Sequence, residues 1–294
     1  MTPTSRSPIV VGLDGSPGAD AALAWAVEAA RRRKATLWLV HAKDLVRFGD
    51  RWLALLPPVE TQPMTWSVLT ASLVELEDVD VADEPYLDLG PPVDVLLERA
   101  RDAQMVVVGS RGHGGFVSLL LGSTSLQVAM RAPCPVVVVR EPVVGGELGP
   151  SAGRVVIGVD GSAMSDAAIR FGFEEADSRG IGLTAVHAWQ SPEITPDAAP
   201  SDVWRAAEEH ERAVLAERLA GWVEKYPDVA VTQRTVHADA AAALVNESAG
   251  AALTVVGSRG DGGFTGLLLG SVSHAVLHYA GSPVAVARTD GERR

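Results

Sequence analysis

Two stretches of the chain carry glycines at spacings that suit a phosphate-binding loop. Residues 109–125 read GSRGHGGFVSLLLGSTS and residues 257–273 read GSRGDGGFTGLLLGSVS, so both follow the pattern G-x2-G-x9-G-[ST]. A glycine lets a backbone N–H approach an anion where a Cβ would intrude. A glycine-rich turn that leads into a helix also places several N–H donors at the positive end of the helix dipole. The pattern predicts a phosphate chain at Gly109, Gly112 and Gly122, and again at Gly257, Gly260 and Gly270.

The likeness between the two halves extends well beyond these loops. Residues 109–140 match residues 257–288 at 19 of 32 positions, and residues 8–42 match residues 154–188 at 15 of 35. Two separated blocks that agree in the same order indicate a duplicated domain. Residues 141–153 contain glycine and proline and lack periodicity, which is typical of a linker. We therefore expect domains at residues 1–142 and 154–294, joined by a linker at 143–153.

Each half alternates apolar strand patterns with helix patterns. The second half predicts, for example, a strand at Arg154–Asp160, a helix at Ser162–Arg179 that Gly180 stops, and a helix at Thr265–Ala280. The order βαβαβαβαβ predicts an α/β fold with a doubly wound parallel sheet of five strands in each half. In such sheets, ligands bind beyond the carboxyl ends of the strands, and the glycine loops follow the fourth strand of each half.

A second repeated motif follows the first strand of each half. Gly12-Leu13-Asp14-Gly15-Ser16 recurs as Gly158-Val159-Asp160-Gly161-Ser162. An aspartate at the end of a strand can accept hydrogen bonds from a ribose or hold a phosphate-bound metal. It can equally cap the following helix, a role that Ser16 or Ser162 could also fill. The pairing of each aspartate with a glycine loop favours the ligand role.

Composition excludes several functional classes. The formal net charge of −12 argues against non-specific binding to nucleic acid or anionic membranes, which need a basic surface. The sequence shows neither an N-terminal signal pattern nor an apolar run of membrane-spanning length. The one cysteine, Cys134, cannot form an internal disulfide, which suggests a reducing compartment. We expect a soluble cytoplasmic protein with no nucleic-acid partner and no membrane insertion.

The combined motifs resemble the universal stress protein family in its tandem, ATP-binding form. The matching segments are VVGLDGS and VIGVDGS, LVHA and AVHA, VVVGSRGHGGF and VVGSRGDGGF, LLLGST and LLLGSV, and CPVVVV and SPVAVA. The resemblance covers essentially the whole chain. It implies sheets of strand order 3-2-1-4-5, one ATP per domain with an accompanying Mg²⁺, and a role in stress survival or growth regulation through protein partners. It also implies a homodimer.

The resemblance assigns roles to residues of both halves. It implies ribose or Mg²⁺ contacts at Asp14 and Asp160, beside Gly12 and Gly158, and adenine contacts to the backbone near Ala42 and Ala188. The phosphate loops it implies comprise Gly109, Ser110, Arg111, Gly112, His113, Gly114, Gly115, Gly122, Ser123 and Thr124 in the first half, and Gly257, Ser258, Arg259, Gly260, Asp261, Gly262, Gly263, Gly270, Ser271 and Val272 in the second. Arg111 and Arg259 could neutralise phosphate or simply face solvent, and the sequence does not separate these roles.

Rival nucleotide motifs are absent from the sequence, and so is a shared catalytic set. There is neither G-x4-G-K-[ST] nor G-x-G-x-x-G after the first strand, which excludes the Walker and Rossmann motifs. No nucleophile, base and orienting group recur in both halves, so we expect a binding protein rather than an enzyme, with no catalytic residues. Slow ATP hydrolysis is one alternative, and an interaction module that binds no nucleotide is another.

Three further features favour structural roles. His274 and His278 are four residues apart on a predicted helix, but with no evident third ligand they are better read as a surface pair than as a metal site. His41 and His187 end the second strands and are expected to be packed. The stretch 48–84, with three prolines and an acidic run, predicts a longer loop and a shortened helix, either as an altered site wall or as a drifted surface segment.

Overall fold

The computed structural model describes residues 7–43, 79–82, 86–112, 121–140, 147–190, 200–260 and 269–288 of the chain. The chain divides into two compact units, with the main division between Glu141 and Pro142. Most of the stretch 48–84 lies outside the described residues, and so do the loop residues 113–115 and 261–263.

The first unit is a parallel sheet with helices. Its elements are β1 (Ile9–Gly12), α1 (Pro17–Arg33), β2 (Leu37–Lys43), β3 (Tyr86–Leu89), α2 (Pro92–Arg99), β4 (Met105–Gly109), α3 (Ser123–Arg131) and β5 (Val136–Val139). The pairings β3–β2, β2–β1, β1–β4 and β4–β5 are all parallel, so the strand order is 3-2-1-4-5.

The second unit repeats this plan. Its elements are β6 (Val155–Gly158), α4 (Ala163–Arg179), β7 (Leu183–Trp189), α5 (Ser201–Lys225), β8 (Val231–His237), α6 (Ala240–Ser248), β9 (Leu253–Gly257), α7 (Ser271–Tyr279) and β10 (Val284–Ala287). The parallel pairings give the order β8-β7-β6-β9-β10, which is 3-2-1-4-5 again. The predicted α/β fold class and strand order are confirmed.

Strands β4 and β5 are apolar along their whole length, as expected in a doubly wound sheet that helices cover on both faces. Every residue of β4 and β5 is buried, and Val106, Val107 and Val136–Val138 are fully inaccessible. Helix α1 packs on β1 and β4, whereas α2 packs on α3, and α4 and α6 take the corresponding places in the second unit. Burying one such valine contributes about 1.5–3 kcal/mol, so the strands next to the switch point are the firmest part of each unit.

The residues at the end of the predicted linker are bonded to the second unit. Gly149 N–H donates to the Ala249 carbonyl at 2.8 Å, and Gly153 N–H donates to the Gly250 carbonyl at 2.8 Å. The Ser151 hydroxyl donates to the buried Glu247 carboxylate at 2.6 Å. These bonds fix the entry of the chain into β6.

The last helix of the second unit begins later than its sequence pattern predicts. We expected a helix at Thr265–Ala280, but Leu269 and Gly270 are not helical and α7 starts at Ser271. Gly270 has an extended backbone, φ −74° and ψ 158°, and its N–H donates to the Ser258 carbonyl at 2.8 Å. That bond to the preceding loop holds Gly270 outside the helix.

Among the described residues, no helix is long and apolar enough to cross a membrane.

Helices α1 and α4 occupy equivalent places in the two units, and their C-terminal ends can be compared residue by residue. α4 ends, as predicted, at Gly180 in the left-handed region (φ 63°), but the equivalent residue of α1 is Lys34 at φ 49°. A left-handed conformation costs a residue with a Cβ about 1 kcal/mol relative to glycine. The exposed Lys34 therefore carries strain that Gly180 avoids.

We predict that Lys34→Gly stabilises the chain by about 0.5–1 kcal/mol and that Gly180→Ala destabilises it by about 1 kcal/mol, because only the residue at the left-handed position changes. Urea unfolding of the two variants checks both signs. A loss of stability in Lys34→Gly would contradict the assignment of strain to this residue.

Candidate functional site

The carboxyl ends of β1 and β4 lie side by side, and the chain leaves them for different helices. Val10 pairs with Val106, and Val11 pairs with Val107. Beyond these pairs, β1 continues through Asp14 into α1, whereas β4 continues through the glycine loop toward α3. This is the switch point of the sheet, where doubly wound folds bind ligands. β6 and β9 repeat the arrangement in the second unit.

The aspartate after the first strand holds the residue that caps the next helix. Asp14 Oδ1 accepts hydrogen bonds from Ser16 N–H at 3.0 Å and from the Ser16 hydroxyl at 2.6 Å. Ser16 Oγ in turn accepts from Ala19 N–H at 3.2 Å, which caps α1. Asp160, Ser162 and Ser165 repeat the three distances. The cap is therefore the serine, and the aspartate supports it through one carboxylate oxygen.

The other carboxylate oxygen faces the second glycine of the loop. A Cβ built on Gly112 would lie 2.2 Å from Asp14 Oδ2, and a Cβ built on Gly260 would lie 2.2 Å from Asp160 Oδ2. Real Cβ atoms do not approach this closely, so any other residue at these positions requires the carboxylate or the loop to move. The Ser16 hydroxyl also lies 3.3 Å from the Arg111 carbonyl, across 95 residues of sequence.

The first and third glycines of the pattern differ in how closely they are packed. A Cβ on Gly109 would lie 2.5 Å from the Gly18 carbonyl group of α1, and a Cβ on Gly18 would lie 2.5 Å from the Arg111 carbonyl oxygen. Gly122 N–H donates to the Ser110 carbonyl at 2.7 Å, and a Cβ there would lie 3.4 Å from the same oxygen, an ordinary contact. Packing against α1 therefore requires glycine at residue 109 but not at residue 122.

Glycine also stands at the N-cap of the helix that follows each loop. Gly122 is the N-cap residue of α3 and Gly270 is the N-cap residue of α7, and neither helix start receives a hydrogen bond from a capping side chain. The first-turn positions are Ser123 and Thr124 in one unit, and Ser271 and Val272 in the other. An uncapped helix start is suited to an anion because its N–H groups and the helix dipole favour negative charge.

Two serines that the sequence reasoning missed tie this helix to the strand before it. The Ser125 hydroxyl donates to the Gly109 carbonyl at 2.6 Å, and the Ser273 hydroxyl donates to the Gly257 carbonyl at 2.6 Å. Ser110 N–H also donates to the Val139 carbonyl at 2.7 Å, which ties the loop to β5. The available signal was the last serine of GSTS and GSVS, which is repeated in both halves.

Positive charge gathers beside the loop of the first unit. Burial, together with the nearby positive charge of Arg111, lowers the pKa of Arg140, which follows β5 directly. Arg288 is the matching residue after β10 and is buried. Two guanidinium groups close enough to repel each other favour an anion nearby. Arg140 was not among the residues that the sequence singled out.

A cavity of about 280 Å³ lies beside the start of α3 in the first unit. Ser123 and Thr124 line it on one side and Pro91–Asp94 on the other. Arg131 lies 3.5 Å from the Asp94 carboxylate at its edge. The predicted phosphate residues of α3 therefore face open space.

The remaining predicted residues fall in three places. Gly12 and Gly158 pack on neighbouring helices, because their Cβ positions lie 3.3 Å from Leu96 and 3.0 Å from Leu244. Ala42 and Ala188 lie near the carboxyl ends of β2 and β7, opposite Asp88 and Val236. His113, Gly114, Gly115, Asp261, Gly262 and Gly263 lie outside the described residues.

The histidines near the ends of the second strands are hydrogen-bonded to the backbone that follows the first strands. His41 Nδ1 lies 2.7 Å from the Leu13 carbonyl, and His187 Nδ1 lies 2.8 Å from the Val159 carbonyl. His187 Nε2 lies 2.8 Å from a Glu211 carboxylate oxygen, so both nitrogens of this ring face acceptors. His274 and His278 lie side by side on α7 with ring centroids 4.5 Å apart and planes tilted by 33°, and the described residues hold no cluster of three or more metal-ligating side chains.

The fold and the repeated site define the chain as a tandem α/β protein. Each unit has a switch point of the kind at which doubly wound sheets bind ligands. The sequence profile of the universal stress protein family matches residues 6–140 and again residues 152–288. The chain therefore belongs to the universal stress protein family.

Relatives and solved structures agree over nearly the full length. A universal stress protein of Mycobacterium tuberculosis is 40% identical over 302 residues, covering 97% of this chain and 98% of the relative. One from Mycolicibacterium smegmatis is 40% identical over 291 residues, covering 95% and 96%. The crystal structure of a universal stress protein from Archaeoglobus fulgidus has a TM-score of 0.67 at 19% identity, covering 96% of this chain and 98% of that one, and supports the fold alone.

We predict that the loss of stability caused by a Cβ at residue 112 depends on the presence of the Asp14 carboxylate. Gly112→Ala should lower the free energy of unfolding by about 1–3 kcal/mol, as overpacking does. In an Asp14→Ala background most of this cost should disappear, giving a coupling of at least about 1 kcal/mol in urea unfolding.

The duplicated chain supplies the matched control. Gly112→Ala combined with Asp160→Ala places the two changes in different units, so their costs should add within about 0.5 kcal/mol. If Gly112→Ala lowers the free energy of unfolding as much in the Asp14→Ala background as in the parent chain, the Asp14 carboxylate does not set the requirement for glycine at residue 112.

Proposed function

We propose that each unit binds one ATP, with its phosphates on the loop between β4 and α3 or between β9 and α7. The observation that carries the proposal is the repeated meeting of Asp14 with Gly112 and of Asp160 with Gly260 at the switch point of each sheet. Such a junction sets a carboxylate and a glycine-lined helix start side by side. A ribose or a phosphate-bound cation suits the carboxylate, and a phosphate chain suits the helix start.

The residues present fit a nucleoside triphosphate with Mg²⁺. Asp14 and Asp160 would hold the ribose or the cation, and the backbone near Ala42 and Ala188 would hold the adenine. The N–H groups of Gly112, Ser123 and Thr124, and their counterparts, would take the phosphates, with Arg111 and Arg140 adding positive charge. Three or four charge-assisted bonds of about 1.5–3 kcal/mol each suffice for a micromolar Kd, which needs about 8 kcal/mol after ordering costs.

The site supports binding better than turnover. A general base must reach the proton that it removes, and His187 already meets an acceptor at each ring nitrogen. We infer that nucleotide occupancy regulates stress survival or growth by changing which protein partner the chain binds. A cytoplasmic location and a homodimer stay predictions, and sedimentation of the purified chain with and without ATP tests the dimer.

We predict two ATP sites per chain by calorimetric titration. Gly112→Ala should remove the first site and Gly260→Ala the second, because the added Cβ displaces the loop from its aspartate. The double variant should bind essentially no ATP. Gly221→Ala is the matched control, since Gly221 lies in α5 with open space around its Cβ position, and it should leave both sites intact.

Two results would contradict the proposal. A folded double variant with unchanged stoichiometry would show that these loops are not the phosphate sites. A purified chain that neither carries nor binds nucleotide would favour a plain interaction module. Repeated turnover of ATP that is lost in Asp14→Ala or Asp160→Ala would instead establish an ATPase.

A further inference from the structure

One face of α5 contacts the carboxyl edge of the second sheet at three points. Trp204, Glu211 and Arg218 are seven residues apart, which places them on one face of the helix. The Trp204 ring lies 5.3 Å from the ring of Trp189, at the end of β7. Glu211 bonds to His187, and an Arg218 guanidinium nitrogen donates to the Gly161 carbonyl.

The second and third of these contacts reach the segment Val159–Ser162, which contains Asp160. His187 connects the Glu211 carboxylate to the Val159 carbonyl, at 2.8 Å on each side. Arg218 binds the same segment two residues later, at Gly161. Helix α5 is therefore connected to the segment on both sides of Asp160, through His187 at Val159 and directly at Gly161.

The contact through His187 is buried and uses both ring nitrogens. His187 is 7% exposed, and its two nitrogens lie 2.8 Å from the Val159 carbonyl and 2.8 Å from a Glu211 carboxylate oxygen. Leaving a buried polar group without its hydrogen-bond partner is costly, so removal of the Glu211 carboxylate should loosen the ring and the segment that it holds.

The other charged groups around this contact have partners of their own. On α5, Glu208 pairs with Arg212 at 2.7 Å. Arg218 lies 3.8 Å from Asp166 of α4. The residue of β8 beside His187 in the sheet is Thr235, which is uncharged. Glu211 is thus the carboxylate that meets the ring.

We propose that Glu211, acting through His187, is a positioning residue for the second nucleotide site. It fixes α5 against the segment that carries Asp160 through the buried His187 ring. This inference rests on the proposed function, because it concerns how well the second unit binds ATP. Loss of the Glu211 carboxylate weakens binding at the second site, and the first site serves as the reference.

The experiment measures ATP affinity by calorimetry at a single pH. The full-length Gly112→Ala chain reports the second site, and the full-length Gly260→Ala chain reports the first site. We expect Glu211→Ala to weaken ATP binding at the second site about three- to tenfold, as expected for one lost hydrogen bond, and to leave binding at the first site within about twofold.

Three substitutions in the Gly112→Ala chain separate positioning from simple packing. Glu211→Ala removes the connection and should weaken ATP binding by the amount given above. Glu211→Gln keeps an amide that can still bond to Nε2 of the ring, so binding should stay within about twofold of the parent. Glu208→Gln changes a neighbouring carboxylate of α5 and should leave binding unchanged.

The outcomes are distinct. A folded Glu211→Ala chain that binds ATP as its parent does, or a Glu211→Gln chain that binds as weakly as Glu211→Ala, would overturn the positioning role alone. Absence of ATP binding by the Gly112→Ala chain would overturn the proposed function of the second unit, and this inference with it. Thermal unfolding of each variant establishes that it is folded.

Discussion

The carboxylate of Asp14 occupies the space where a side chain at residue 112 would begin, and Asp160 does the same at residue 260. This contact allows the loop after β4 to pass directly over the loop after β1. It requires those two strands to be neighbours and parallel, and it requires the next helices to leave the sheet in different directions. The order 3-2-1-4-5 meets all of these requirements, so the glycine–aspartate contact and the topology depend on each other.

The two described ends of the loop, at Ser110 and Gly122, are held by neighbouring elements. Main-chain bonds join Ser110 to β5 and Gly122 to Ser110, and the Ser125 hydroxyl joins α3 to the end of β4. These bonds fix the positions at which the chain leaves β4 and enters α3. The buried valines of β4 and β5 provide the rigid base from which the loop extends.

The two units share this site but differ in the ion pair that joins the third strand to the helix after it. Arg99 and Glu247 end equivalent turns of α2 and α6, and each pairs with the third strand of its own sheet. Arg99 binds Asp88 at 2.9 Å, whereas Glu247 binds Arg234 at 3.2 Å, so the charges are reversed. The two units thus keep the same helix-to-strand contact with ion pairs of opposite polarity.

The sequence alone determined the repeat, the alternation of elements and the position of the glycine loops at the carboxyl edge. It did so because strand and helix patterns, glycine stops and duplicated motifs are local. The predicted helix stop at Gly180 is the one observed. The start of α7 was predicted too early, since Gly270 is held out of the helix by a bond to Ser258, which no local pattern reveals.

Only the tertiary structure decided what each residue of the site contacts. The glycines looked equivalent in sequence, yet Gly109 packs on α1, Gly122 lies against Ser110, and Gly112 faces Asp14. The bond between Glu211 and His187 was likewise invisible, because a helix pattern shows which face is buried and not which partner it meets. Contacts such as the one from Ser16 to Arg111 join residues 95 positions apart, and strand register, crossover direction and side-chain rotamers set them together.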